Sequence, residues 1–96
     1  MLADWSNTTD SNDEQIYCLK VNHDRIDEKG RVIGGVAVVR GHGIVWTVEI
    51  QATRDGQAYG AYHRGSEYQT LSLAQQAGLR GLLKQRQKYQ KKYPGT

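Results

Sequence analysis

IVWTVEIQATRDGQAY, Ile44 to Tyr59, decides how this chain is read. Ile44, Trp46, Val48, Ile50 and Ala52 fall on one side of an extended chain, and Val45, Thr47, Glu49, Gln51 and Thr53 on the other. A period of two implies a strand with one buried face. Asp55-Gly56 follows at once. A two-residue type I′ turn needs positive φ at both central positions, which Asp-Gly tolerates, so the stretch predicts a hairpin. The register that turn imposes sets Arg54 opposite Gln57, Ala52 opposite Tyr59, Ile50 opposite Ala61 and Val48 opposite His63. Tyr59, Ala61 and His63 then join the apolar face, and Tyr62 and Arg64 the polar one.

Toward the N-terminus, Arg31 to Val39 (RVIGGVAVV) is a second β-branched run. Its paired glycines, Gly34 and Gly35, imply a bulge or the close approach of another segment. Gln15 to Val21 (QIYCLKV) has the composition of a third strand, and Asn22 to Gly30 (NHDRIDEKG) reads as a charged loop ending in a turn. The residues before Gln15 are rich in Ser, Asn, Thr and Asp and predict a disordered acidic tail over 1–14.

Toward the C-terminus the period changes to that of a helix, from Ser72 to about Tyr93, with Pro94-Gly95 as the stop. Ser72 and Gln75 have the spacing of a capping box. Leu79, Leu82, Leu83, Tyr89 and Tyr93 form a large apolar stripe, interrupted by Arg86, and Ala74, Ala77, Gly78 and Gly81 a small-residue stripe beside it. Each helical glycine costs up to about 1 kcal/mol relative to alanine, which close packing on a sheet would offset. The last turns are basic, and this half of the helix is expected to project past the sheet. The fold expected is α+β: an antiparallel meander of three to four strands with one long C-terminal helix across one face, as a single domain over 15–93 with a short tail at 94–96. Trp46, Val48, Ile50, Leu79, Leu82 and Leu83 are expected to share its core.

The formal charge of +3 conceals a division. Residues 1–30 carry a net −4 and residues 31–96 a net +7, with no acid after Glu67. Such asymmetry suggests a polyanion as partner. The acidic head, around Asp4, Asp10, Asp13 and Glu14, is expected to fold back over the basic helix and compete with that partner. The opening residues resemble neither a signal peptide nor a membrane anchor, so a soluble cytoplasmic protein is expected.

Little in the sequence points to catalysis. Cys18 is the lone cysteine, so an internal disulfide and a cysteine-based metal site are both excluded. His23, His42 and His63 lie about twenty residues apart without metal-binding spacing, and read as a charged loop, a turn and a strand face. The glycines from Gly34 to Gly43 lack the phosphate-loop pattern. No enzyme activity, metal or cofactor is expected.

The basic surface remains. Arg80, Lys84, Lys88, Lys91 and Lys92 share one side of the helix, and with Arg64 and Tyr62 from the hairpin they form the candidate nucleic-acid-binding set. Arg54 and Arg40 lie near strand ends, and Tyr89 and Tyr93 could stack on bases. Cations near a helix C-terminus are also favoured by the macrodipole, by about 0.3 to 1 kcal/mol each, whatever their function. The expected function is that of a small nucleic-acid-binding accessory or regulatory protein, acting on DNA or RNA. The alternative is an interaction module that sets its basic helix or a strand edge against an acidic protein surface.

Overall fold

The structure, a computed structural model, describes residues 5–93, apart from the side chains of residues 61–64 and 66. Five strands precede one helix: β1 (Ser6–Thr9), β2 (Gln15–Ile26), β3 (Val32–His42), β4 (Val45–Arg54), β5 (Gln57–Tyr68) and α1 (Leu71–Lys92). The strands pair in sequence order, each antiparallel to the next, so the sheet is a meander and the fold is α+β.

The β4–β5 turn forms as its sequence predicts. Asp55 and Gly56 both have positive φ, +52° and +83°, and Arg54 pairs with Gln57 and Ala52 with Tyr59. Beyond that point the expected register fails. Ile50 lies opposite His63 rather than Ala61, because β5 inserts two extra residues between Tyr59 and His63, and a second irregularity follows between Thr47 and Glu49. Gly60, with φ of +80°, makes the first of these bulges possible.

Two further expectations are corrected. The supposed acidic tail contains β1, whose Ser6 and Thr9 lie opposite Cys18 and Gln15. Asp10 closes the turn after it, its Oδ1 accepting the N–H groups of Asn12 and Glu14 at 2.8 and 2.9 Å. β1 is polar throughout and carries no alternation, so its strand character arises from pairing and from Trp5, which packs over Gly78 of the helix. β2 in turn does not end at Val21. It continues through the charged stretch to Ile26, absorbing His23 and Asp24 in a bulge where Asp24 takes a φ of +57°.

The helix lies over β3 and β4 with its small residues inward. Ala74, Gly78 and Leu82 are buried, and a Cβ at Gly81 would sit 2.9 Å from Ile50 Cγ1. A Cβ at Gly78 would come within 3.3 Å of Ala37. Gly35 of β3 meets Leu82 and Gln85 from the other side, which gives the paired glycines their role as a close approach. The core comprises Leu19, Ile33, Ala37, Val39, Trp46, Val48, Ala52, Ala74 and Leu82, with Ile50 partly buried against it. Leu79 and Leu83, expected inside, are 37% and 57% exposed. The glycine seam turns toward the sheet and rolls those two leucines outward over β2.

Thr70 caps the helix, its hydroxyl accepting the Leu73 N–H at 3.1 Å. Ser72, the expected cap, instead lies inside the first turn. The C-cap is Tyr93, and Pro94-Gly95 and the expected 94–96 tail lie outside the described residues. Among the described residues, no helix is long and apolar enough to cross a membrane.

Candidate nucleic-acid interface

Six cations and no acid lie along α1. Their surroundings divide them into three sets. Arg80, Lys84 and Lys88 recur every fourth residue, about 6 Å apart along the axis, on the side of the helix that faces β5. Arg86 is on the opposite side, with Nη2 3.0 Å from Asp24 Oδ2 and Nη1 donating to the Asn22 carbonyl at 3.4 Å. Lys91 and Lys92 occupy the final turn, where the exposed carbonyls favour cations, and Lys92 Nζ lies 5.4 Å from the Tyr93 ring centre.

The first set borders a trough. One part, of about 440 Å³, lies between Lys84, Gln85, Lys88 and Tyr89 of the helix and Tyr59 and Gly60 of β5, over a floor of Ile50 and Ala52. A second part, of about 250 Å³, continues toward the helix N-terminus past Arg80, Val48 and Tyr68. Ile50, Gly81 and Lys84 line both. The trough opens beside the β5 bulge, whose residues 60–62 have no register partner on β4, and Gly81 lets the helix backbone close down on Ile50 at its floor. No carboxylate is among its described lining residues, and Arg80 and Lys84 have no ion-pair partner among the described residues.

Past Tyr89 a buried polar cluster fixes the end of the helix. Asp27, in the β2–β3 turn, accepts the backbone N–H groups of Lys29 and Arg31, both at 2.9 Å, and the Nε–H groups of Arg31 at 2.8 Å and Arg54 at 3.2 Å. Burial alone would raise its pKa; the Arg31 and Lys29 backbone hydrogen bonds and the Arg31 guanidinium together hold it below the usual carboxylate value. The Arg54 guanidinium lies 4.4 Å from the Tyr59 ring centre and 5.0 Å from that of Tyr89. Tyr89 also stacks on His23, with ring centres 6.2 Å apart, and on Tyr93. The Glu28 carboxyl is held below its usual value by the backbone N–H beside it and by the nearby Tyr93 hydroxyl. The helix is therefore docked as far as Tyr89, with Tyr93 stacked on it, and the expectation that the whole C-terminal half projects beyond the sheet is overturned.

His23 is 1% exposed rather than part of a charged loop. Its Nε2–H donates to Gln85 Oε1 at 2.8 Å, and Nδ1 has no partner among the described residues. Burial lowers its pKa, against the opposing effect of the Gln85 hydrogen bond.

The candidate set thus separates. Arg80, Lys84 and Lys88 come together at the trough, while Lys91 and Lys92 lie beyond its end. Arg64 is opposite Glu49 in the backbone register, and Tyr62 lies within the β5 bulge; both side chains fall outside the described residues. Arg54 is only 7% exposed and held by Asp27, and Arg40 is on β3 opposite Thr47, on the sheet face away from the helix. Tyr89 and Tyr93 are occupied with each other and with the cluster. Tyr59, 45% exposed at the trough's edge, is the aromatic residue missing from the candidate set, although its pairing with Ala52 had placed it on the helix-facing side.

The acidic head is also in the wrong place to cover the basic helix. Asp10, Asp13 and Glu14 belong to the β1–β2 turn, and Gln15 pairs with Gly41 at the sheet end where the helix begins. Asp4 lies outside the described residues. Toward the helix C-terminus, Asp24 is paired with Arg86 and Asp27 with Arg31 and Arg54. Among the described residues, no group of three or more His, Cys, Asp or Glu side chains could hold a metal ion. No protein-family model matches the chain, and no curated protein or solved structure matches it significantly.

Proposed function

We propose that this chain is a small nucleic-acid-binding protein whose contact surface is the α1–β5 trough. The observation that carries this reading is the row of Arg80, Lys84 and Lys88 along a groove with no carboxylate among its described lining residues. A polyanion laid there gains Coulomb attraction and counterion release without displacing an internal ion pair. Lys91 and Lys92 extend the positive field beyond the groove and act as accessory contacts.

Titration with DNA and RNA oligonucleotides at two salt concentrations tests this. Affinity should fall steeply as salt rises, and the double variant Lys84→Glu, Lys88→Glu should lose binding while keeping its unfolding midpoint, since both side chains are exposed. Undetectable binding at low salt would end the nucleic-acid reading. The second reading is an acidic protein partner. It is favoured by β5, a 12-residue strand at the sheet edge directly beside the cations, where an extended acidic segment could add as a further strand. Retention of a defined protein by the parent and not by the double variant, with no nucleic-acid affinity in either, would select it.

A further inference from the structure

We infer that the trough accepts a single nucleic-acid strand, with one unstacked base lodged over Ile50 and Ala52 beside the Tyr59 ring and the flanking phosphates on Lys84 and Lys88. This rests on the nucleic-acid reading above and narrows it. A duplex keeps its bases stacked inside and presents phosphates, sugars and groove edges, so it gains nothing from an apolar floor. Among the described residues the cations stand along one wall, and between them and β5 lies about 440 Å³ of space floored by Ile50 and Ala52. A strand with splayed bases can satisfy both parts, with its backbone on the lysines and a base against the hydrocarbon.

Three details fit a base rather than a second phosphate. Gly60, at φ +80°, brings no side chain to the trough wall beside Tyr59, and apart from its chain neighbours no described atom lies within 4 Å of the position its Cβ would occupy. Gln85 reaches in from the helix with its Oε1 engaged by His23, and its amide N–H groups have no partner among the described residues, so they can donate to a ring nitrogen or carbonyl oxygen. The Tyr59 ring rests on the Arg54 and Arg31 guanidinium groups, 4.4 and 5.0 Å from its centre, yet remains 45% exposed. The ring is thereby held in position before any base arrives.

The experiment compares fluorescence anisotropy of labelled single-stranded DNA, single-stranded RNA and blunt duplexes of equal length, about 12 nucleotides each, at low salt. Single strands should bind at least about tenfold more tightly than duplexes, and Tyr59→Leu should weaken single-strand binding about tenfold while Tyr59→Phe keeps it. Preference for either sugar among the single strands sustains the inference and identifies the source of the strand. Duplexes that bind as tightly as single strands, with both lost in Lys84→Glu, Lys88→Glu, would overturn the single-strand inference and leave the nucleic-acid reading standing. Absence of all binding would remove both. Because Tyr59→Leu also uncovers Arg54, ultraviolet crosslinking of the unmodified protein gives a measurement free of folding effects: the crosslinked base should map to the peptide around Tyr59 and Gly60. A crosslink confined to the uncovered sheet face, around Cys18 and Val38, would overturn the inference.

Discussion

Asp27 receives four donors from three residues, and two of those residues are arginines whose like charges it balances. Removing that charge leaves the buried Arg54 guanidinium without a counterion, a situation that costs far more than losing an exposed pair. Asp27→Asn should therefore lower the thermal midpoint clearly more than Asp24→Asn, which gives up only the exposed contact to Arg86. Equal shifts would mean that the cluster does not hold this end together. His23 makes the opposite kind of statement about pH. Its folded-state pKa lies below 6.5, so the unfolded chain binds the proton more readily, and stability falls as pH drops through 6.5 toward the lowered value. Denaturant midpoints measured on either side of 6.5 should show this loss, and His23→Gln should flatten it over that window. The loss associated with Asp27 belongs to a separate range, from 3.8 downward, where its carboxylate takes up a proton.

At the level of elements, the helix shows how small residues override large ones. Apolar periodicity marks two stripes, and the larger surface of the leucines makes theirs the expected core. Glycines at 78 and 81 permit the backbone to approach the sheet more closely, so more of the helix meets β3 and β4 when the small stripe faces inward. Leu82, at the border of both stripes, is 4% exposed, whereas Leu83 is 57% exposed. Leu82→Ala should cost about 2 to 5 kcal/mol in chemical unfolding and Leu83→Ala less than about 0.5 kcal/mol. Comparable losses would reverse the docking. Gly81→Val should also destabilise, by about 1 to 3 kcal/mol, because its side chain would enter the space of Ile50.

Across the whole molecule, the acids of the head lie at one end of the sheet and Asp24 and Asp27 at the other, where Arg86, Arg31 and Arg54 engage them. The β1–β2 turn carries Asp10, Asp13 and Glu14 at the end of the sheet where the helix begins, although the first turn of the helix holds no acid, and the helix cations lie along the trough and at the helix C-terminus. If three trough cations each neutralise one phosphate, log affinity for a single strand should fall against log salt with a slope of about −2. Asp10→Asn with Asp13→Asn should leave that slope and the affinity itself within about twofold, since charges more than a Debye length of about 10 Å away are screened. A several-fold gain in affinity would place the acidic turn much closer to the bound strand than this fold allows.

The sequence by itself determined the α+β class, the meander, the hairpin at Asp55-Gly56 and the existence of a long, acid-free helix, because alternation, turn chemistry and helical period are properties of neighbouring residues. It also placed Arg80, Lys84 and Lys88 on one helical side, which needed only helical spacing, but together with Lys91 and Lys92, which the trough does not include. Only the tertiary structure decided the rest. β1 has no local pattern and exists by virtue of its partner strand; the β2 and β5 bulges shift registers that a regular turn would have kept; and which helix stripe faces the sheet depends on how closely two backbones can approach. The trough belongs to the same category. Its floor comes from β4, its cations from the helix and its opening from a bulge in β5, so no single stretch of chain contains it, and only the packing of all three elements creates it.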